Sequence, residues 1–431
     1  MQITPIPHPL NATVRVPGSK SLTNRALLIA SLAKGTTHLT NALFSDDSRY
    51  FARALQTLGF HLTLDETNHE MTITGLGGQI PAQKAELFIG NAGTAARFLS
   101  AFLTIGHGEY ILDGDSRMRE RPIGDLVVAL KQLGADVHPV FQSLNHQIVK
   151  SQIYPPVKIL ASGLPGGKTT VAGDISSQFL SALLMVAPYA QTPVEIELST
   201  ELNSKPYVEM TLAIMRDFGV TVERDEYRFF RIYPQRYRPS PNYPIESDAS
   251  AASYFFAAPA ICGGTVRVEN ISRRSVQGDI AFLDVLENLG CRVTESDHSI
   301  TVNCQSQMTG IDIDMRDIPD TAQTLAALAP FAASPTRIRG IASARVKETD
   351  RIAATCAELT RLGVKVEEHP DGMTIYPCQN FTPATVQTYN DHRMAMAFSL
   401  IGLRVPGVTI ENPGCVSKTF PNFFAVLDTL R

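Results

Sequence analysis

Residues 89–134 read IGNAGTAARFLSAFLTIGHGEYILDGDSRMRERPIGDLVVALKQLG. A glycine-containing turn opens a run, Ala95–Ile105, that is apolar nearly all round. A strand-like segment follows, then an amphipathic stretch that stops at Leu133-Gly134. The same order recurs along the chain. Apolar helix-sized runs begin near Leu22, Thr94, Ser177, Ala249, Thr321 and His392, each opened by small, polar or basic residues. The first five copies end on Leu58-Gly59, Leu133-Gly134, Phe218-Gly219, Leu289-Gly290 and Leu362-Gly363, and successive glycines lie 75, 85, 71 and 73 residues apart. A period that long with matching internal order predicts a repeated βα unit and an α/β (α+β) chain.

The two helix types of each repeat differ in pattern. Ala26–Ala33, Ala95–Ile105, Phe179–Ala187, Ala251–Ile261, Thr324–Ala333 and Met394–Gly402 have no polar face, which predicts helices buried inside a domain. Phe51–Leu58, Ile280–Leu289 and Arg351–Leu362 carry apolar residues three and four apart and predict outer helices. Six helix N-termini bring six partial positive charges, which favour a polyanionic ligand.

Prolines at 234, 239, 241 and 244 exclude helix and central strand and mark a linker between the third and fourth repeats. The sixth repeat stops at Arg431 without the closing strand that Val137, Val220, Val293 and Val364 begin in other repeats. The first 20 residues are strand-like and belong to no repeat. The economical expectation is that they complete the last one. The N-terminal domain is then 21–242 and the C-terminal domain 1–20 plus 243–431, with hinges near 18–21 and 233–245.

A chain of 431 residues, 44% hydrophobic and 19% charged, suits a soluble globular protein with large cores. A net charge of -4 gives no reason to expect a nucleic-acid or membrane partner, so anion binding must come from a local cation cluster. The longest apolar runs fall well short of the ~20 residues that span a bilayer. The N-terminus has no unbroken apolar core of the kind a signal peptide needs, and cytoplasmic residence is expected. The six cysteines, at 262, 291, 304, 356, 378 and 415, show no CxxC pair and are expected to be buried thiols in a reducing compartment.

Several polar motifs sit at repeat starts or connections. GSKSLTNR (18–25) brackets a helix start with Lys20 and Arg25, and Ser21 can cap the helix or bind an oxyanion. In the GNAG turn, Gly93 lets backbone N–H groups approach a phosphate or carboxylate. RMRERPIGD (117–125) sets Arg121 before a proline-started helix. GDISSQF (173–179) offers Ser176, Ser177 and Gln178, and NSKPY (203–207) offers Ser204 and Tyr207. Asp320 in IPDTA is either an N-cap or a general base. RVKETDR (345–351) brings Lys347, Glu348 and Arg351, a spacing that also suits an i,i+3 surface pair. Arg393, in NDHRMAM (390–396), stands in the first turn of an apolar helix, where a charge needs a partner. Lys418 precedes the last amphipathic helix. Capping and solvated loops explain each motif singly; their shared position makes Lys20, Arg25, Arg121, Lys347, Arg351, Arg393 and Lys418 candidates for one cleft. GLPGGKTT (163–170) is one residue short of a P-loop and runs into strand-like sequence, so it is rejected.

GNAGTAAR, RPIGD, SSQF, RVKETDR, NDHRMAM and KTFP, in this order over the whole length, resemble the 5-enolpyruvylshikimate-3-phosphate synthase family of enolpyruvyltransferases. The resemblance implies an inverse α/β barrel type of fold: two similar domains, each of three βαβαββ units with buried parallel helices. It implies transfer of the enolpyruvyl group of phosphoenolpyruvate to the 5-hydroxyl of shikimate 3-phosphate, with no metal or organic cofactor and a monomeric protein. It assigns Lys20, Ser21, Arg25, Ser176, Ser177, Gln178, Ser204, Tyr207, Asp320 and Lys347 to shikimate 3-phosphate. Lys20, Gly93, Arg121, Gln178, Arg351, Arg393 and Lys418 fall to phosphoenolpyruvate. Asp320 is the expected proton acceptor for the 5-hydroxyl, and Lys20 and Glu348 are candidates to protonate the methylene carbon. Seven cations less Asp320 and Glu348 leave +5, near the charge of substrates whose phosphates each carry about -1.5 to -2. Domain closure around both substrates is expected, to exclude hydrolysis.

Two positions depart from the family pattern: Ser343 stands where members often have Asn, and Phe98 where they often have Pro. Ser343 shifts one phosphate contact, and Phe98 leaves the degree of glyphosate sensitivity open; Gly93 itself predicts sensitivity. The sister transferase acting on UDP-N-acetylglucosamine carries Asn after the first Lys and a Cys in the loop before RPIG. Here Ser21 follows Lys20, and residues 113–121 hold no Cys. A silent binding homologue would have no need of Asp320, Glu348 and Lys20 together.

Overall fold

The apolar runs and the amphipathic runs alternate as helices. The computed structural model describes residues 1–140 and 153–431. Within these, twelve α-helices are α1 (Lys20–Leu32), α2 (Asp46–Thr57), α3 (Gly93–Leu103), α4 (Gly124–Gln132), α5 (Ser177–Val186), α6 (Lys205–Asp217), α7 (Ala249–Cys262), α8 (Phe282–Asn288), α9 (Ala322–Leu328), α10 (Arg351–Arg361), α11 (His392–Gly402) and α12 (Phe423–Asp428). Every residue of α3, α9 and α11 is buried. In α2 and α10 the buried positions instead form one stripe, including Phe51 and Leu55 or Ile352 and Leu359. The odd-numbered helices are therefore the inner ones, because no face of theirs tolerates water.

α3, α5 and α9 each connect two parallel strands of one sheet, and an antiparallel hairpin completes that sheet. Lys84–Phe88 pairs parallel with His107–Asp113 across α3, and Val157–Ser162 and Asp136–Pro139 add antiparallel strands beyond it. The sheets holding Val194–Leu198, Gly264–Glu269 and Thr336–Arg339 repeat this order. The parallel pair needs a crossover and the hairpin does not, which is why a helix intervenes only in the first.

The first 17 residues do more than complete the last repeat. Leu10–Arg15 pairs parallel with Gly264–Glu269 and so completes the fourth repeat. Only the extreme N-terminus reaches the sixth, where Ile3 N donates to Val408 O and Gln2 bridges Thr409. The first repeat is completed in turn by Tyr243–Pro244, parallel to the strand Lys34–Thr40. Pattern alone does not say which sheet edge a strand joins.

The chain divides into two bodies, Gly18–Ile245 and Met1–Pro17 with Glu246–Arg431. Each has its own apolar core. In the first, Leu28, Phe51, Phe98, Phe102 and Phe230 are among the residues fully removed from water; in the second, Phe255, Phe282, Leu325 and Phe423 are. All six cysteines lie in the second body. The expectation of six thiols is corrected: Cys291 and Cys304 form a disulfide, with Cα atoms 4.6 Å apart. They flank a hairpin in which Arg292 faces Asn303, so the same register sets Cys291 against Cys304. Cys262, Cys356, Cys378 and Cys415 remain thiols.

Candidate functional site

In the first body, Ser19 caps α1 by accepting from Leu22 N, and Lys20 and Arg25 lie on its first two turns. Lys20 Nζ stands 3.5 Å from Asp47 Oδ2, and that carboxylate is 3% exposed. Arg25 is buried without a carboxylate. Its Nε donates to Thr211 Oγ1 at 2.8 Å, Nη1 to Ser21 O at 3.0 Å, and Nη2 to Tyr207 O at 3.2 Å and Ser181 Oγ at 3.4 Å. Its guanidinium also lies 5.2 Å from the centre of the Phe98 ring. Burial, opposed by Tyr207, pushes its pKa down to about 10. A cation met only by neutral acceptors keeps its charge for an incoming anion.

Tyr207 sits in the first turn of α6, whose N-cap Ser204 adopts a left-handed φ of 58°. Ser176 caps α5 by accepting from Gln178 N at 3.3 Å, with Ser177 buried and Gln178 half-buried beside it. These groups therefore gather at the N-terminal ends of α1, α5 and α6.

The GNAG turn forms a second cluster. Gly90 has φ +52°, and a Cβ there would lie 2.6 Å from the Tyr50 ring. A Cβ on Gly93 would stand 2.4 Å from Nη2 of Arg121. Arg121 Nη1 is held by Asn91, at 2.8 Å from Oδ1 and 3.1 Å from the backbone oxygen. Arg97 locks the arrangement by donating to Gly93 O at 3.2 Å and to Pro122 O at 2.8 Å. The glycine thus leaves room for the Arg121 fork at the start of α3.

The second body holds an ionic cluster on the N-terminal ends of α9, α10 and α11. Asp350 caps α10 and Asp391 caps α11. Arg351, the first residue of α10, donates from Nε to Asp391 Oδ2 at 2.8 Å, from Nη2 to Glu348 Oε2 at 2.8 Å, and from Nη1 to Asp320 Oδ1 at 3.1 Å. Arg393 Nη2 donates to Asp320 Oδ2 at 2.7 Å and Nη1 to Tyr254 Oη at 3.4 Å. Lys418 Nζ is 3.8 Å from Glu348 Oε1. Lys347, half-buried, and Ser343 belong to the connection leading into this cluster. Burial alone would lower the pKa of Arg351; the charges of Asp391, Glu348 and Asp320 reverse this and raise it. Burial also pushes the Tyr254 hydroxyl up to about 12, against the charge of Arg393.

Within their own bodies, the sequence-derived residues fall into these clusters. Asp47, Asn91, Arg97 and Asp391 were missed as members. Asn91, Arg97 and Asp391 lie inside motifs that mark the site and were passed over because caps and turns explain them. Asp47 has no motif signal. Counting Asp47, Arg97 and Asp391 lowers the charge tally from +5 to +4. Among the described residues, no group of three or more His, Cys, Asp or Glu could hold a metal ion, and no helix is long and apolar enough to cross a membrane.

The chain matches the family described as EPSP synthase (3-phosphoshikimate 1-carboxyvinyltransferase) over residues 5–427. It is 50% identical to the 3-phosphoshikimate 1-carboxyvinyltransferase of Nostoc punctiforme, covering 98% of this chain and 97% of that one. The enzyme of that name from Shewanella denitrificans is 49% identical, with 96% and 95% covered. Among solved structures, EPSP synthase from Acinetobacter baumannii superposes with a TM-score of 0.82 at 25% identity, covering 100% of this chain and 97% of that one. The enolpyruvyl transferase NikO from Streptomyces tendae shares the fold, with a TM-score of 0.77 at 17% identity over 100% and 96%.

Proposed function

The chain belongs to the EPSP synthase (3-phosphoshikimate 1-carboxyvinyltransferase) family, and from that premise we propose which of its residues carry the reaction. The reaction is transfer of the enolpyruvyl group of phosphoenolpyruvate to the 5-hydroxyl of shikimate 3-phosphate, with release of phosphate.

We assign shikimate 3-phosphate to Lys20, Ser21, Arg25, Ser176, Ser177, Gln178, Ser204, Tyr207, Asp320 and Lys347. Phosphoenolpyruvate falls to Lys20, Gly93, Arg121, Gln178, Arg351, Arg393 and Lys418. The observation that carries the chemistry is Asp320, whose two oxygens accept from Arg351 and Arg393 at 3.1 and 2.7 Å. An incoming phosphate or carboxylate draws both guanidiniums to itself and leaves Asp320 free to accept a proton.

Asp320 takes the proton of the 5-hydroxyl as its oxygen bonds to C2 of phosphoenolpyruvate. The methylene carbon gains a proton, giving a tetrahedral ketal. A protonated Glu348 would forfeit its ion pair with Arg351 at 2.8 Å, so we assign this proton to Lys20, whose ammonium already carries it. Elimination removes a methyl proton, breaks the C2–O bond and expels phosphate, whose charge the arginines and lysines stabilise. Proton transfers and anion binding suffice, so no metal or organic cofactor is assigned. We further infer residence in the cytoplasm, since both substrates are charged metabolites, and a monomer, as the family resemblance implies.

The test is phosphate release from phosphoenolpyruvate in metal-free buffer. Release that requires shikimate 3-phosphate is the expected result. Release supported only by UDP-N-acetylglucosamine, or none at all, would overturn the assignment.

A further inference from the structure

Glu358 lies on α10 and is fully buried, yet no step of the proposed reaction uses it. A buried carboxylate is costly unless it is hydrogen-bonded, so its partners show what it serves. Its Oε1 accepts from Tyr389 Oη at 2.8 Å. Its Oε2 accepts from Gln387 N at 3.0 Å and from Arg361 Nε at 3.0 Å. The Arg361 side chain is 43% exposed, and an ion pair with it alone gives no reason to bury the acid. The other two partners belong to residues 387–390, the segment that leads into α11.

That segment is strained. Tyr389 and Asn390 both have a φ of 54°, in the left-handed region where a bulky side chain such as tyrosine is rarely found. Residues in such conformations persist only where their surroundings hold them. Directly after them come Asp391, which caps α11 and accepts from Arg351 Nε, and Arg393, which donates to Asp320. Arg351 and Glu358 are seven residues apart on α10, about two turns, and so share a face. That face grips the segment at both ends: Glu358 at Gln387 and Tyr389, Arg351 at Asp391.

We infer that Glu358 is a positioning residue for the Asp391–Arg351 pair and for Arg393. Its two bonds keep Tyr389 in the left-handed conformation. Without them Tyr389 relaxes to negative φ, the peptides that follow turn, and Asp391 and Arg393 shift with the start of α11. Glu358 acts on the segment through hydrogen bonds and touches neither substrate. A glutamine can make the same two bonds, its amide oxygen accepting from Gln387 N and its amide N–H donating to the Tyr389 hydroxyl.

The inference rests on the proposed assignment of Arg351 and Arg393 to phosphoenolpyruvate. Its test is steady-state kinetics on the full chain, below the unfolding temperature of every variant, with calorimetric binding of shikimate 3-phosphate. Glu358→Ala is expected to raise the KM for phosphoenolpyruvate on the order of tenfold. Shikimate 3-phosphate, most of whose assigned residues lie in the first body, is expected to bind within about twofold of wild type. Tyr389→Phe removes one of the two bonds and is expected to raise the same KM about threefold to tenfold. Glu358→Gln is expected to recover most of what Glu358→Ala loses. A wild-type KM in Glu358→Ala, with only the unfolding temperature lowered, makes Glu358 structural and overturns the inference. So does a Glu358→Gln protein as impaired as Glu358→Ala. If Glu358→Ala does not fold, Tyr389→Phe decides: a raised KM supports the inference and a wild-type KM overturns it. A wild-type protein that releases no phosphate in the presence of shikimate 3-phosphate overturns the functional reading instead.

Discussion

Arg25 and Arg351 are both fully buried, one in each body, and their surroundings drive them in opposite directions. Arg25 meets only neutral oxygens and an aromatic face, and burial pulls its pKa down to about 10. Arg351 meets three carboxylates and is pushed above its ordinary value. A buried cation without a carboxylate is a stored charge, and a phosphate completes it. A buried cation among carboxylates is already neutralised, and its value is that a ligand can compete for it and release a base. On the proposed function, Arg25 is placed to take an anion, and Arg351 to exchange one ion pair for another.

The largest expected effect tests the second half of that contrast. Asp320→Ala should lower kcat by two to four orders of magnitude, the usual worth of a general base, while shikimate 3-phosphate still binds by calorimetry. Normal turnover would remove Asp320 as the base and leave its ion pairs structural.

Replacing each arginine by methionine separates the two directly. Arg351→Met takes the guanidinium from Asp391 and one cationic partner each from Asp320 and Glu348, which keep Arg393 and Lys418, and should destabilise the protein by about 3–5 kcal/mol in denaturant titration. Arg25→Met should leave stability within about 1 kcal/mol of wild type, because Thr211 still bonds Ser181 and the Tyr207 carbonyl. Its KM for shikimate 3-phosphate should rise on the order of a hundredfold through loss of charge-assisted bonds. Equal destabilisation by both would erase the distinction.

Gly93→Ala probes the Arg121 fork. The new methyl meets Nη2 at 2.4 Å and Cζ at 2.9 Å, so the guanidinium must swing aside. The Ki for glyphosate, which occupies the phosphoenolpyruvate site in this family, should rise at least about tenfold, and the KM for phosphoenolpyruvate by less. Equal changes in both would show that the added methyl does not distinguish the inhibitor from the substrate.

The smallest effect is that of pH. The folded pKa of Arg25 lies below its unfolded value, so the folded state binds fewer protons from about 10 up to the ordinary arginine range. Its burial penalty is fully present below pH about 10 and is relieved as pH rises through that window. Ligand affinity runs the other way. Shikimate 3-phosphate binding should weaken a few-fold as pH approaches about 10, where Arg25 begins to discharge and Arg351 does not. A flat calorimetric profile up to that pH would mean that Arg25 is held as firmly as Arg351.

Much of this was legible beforehand, though unevenly. Helices such as α3 and α11 could be read as inner because no face of their sequences is polar, and every residue in them is buried. Lys20, Arg121 and Arg393 could be read as site candidates because they stand at helix starts, and for Arg393 because a charge in the first turn of an apolar helix asks for a partner. The partners themselves were not legible. Asp391 looks like an N-cap and is one, while its carboxylate also binds Arg351 from 40 residues away. Asp47 sits in an unremarkable first turn of α2. The Cys291–Cys304 bond required the hairpin register. Leu10–Arg15 joined the six-residue strand of the fourth repeat, whereas the sixth has strands of only two residues.

The sequence by itself determined the repeat, the inner and outer helices, the linker and the cations at the helix starts. These follow from periodicity and composition, which are local. Only the tertiary structure decided which charges meet: Arg25 with Thr211 across 186 residues, and Arg393 with Asp320 across 73. Periodicity says which face of an element turns inward. It carries no information on which distant element that face will find, and that choice set one buried arginine among neutral oxygens and the other among three carboxylates.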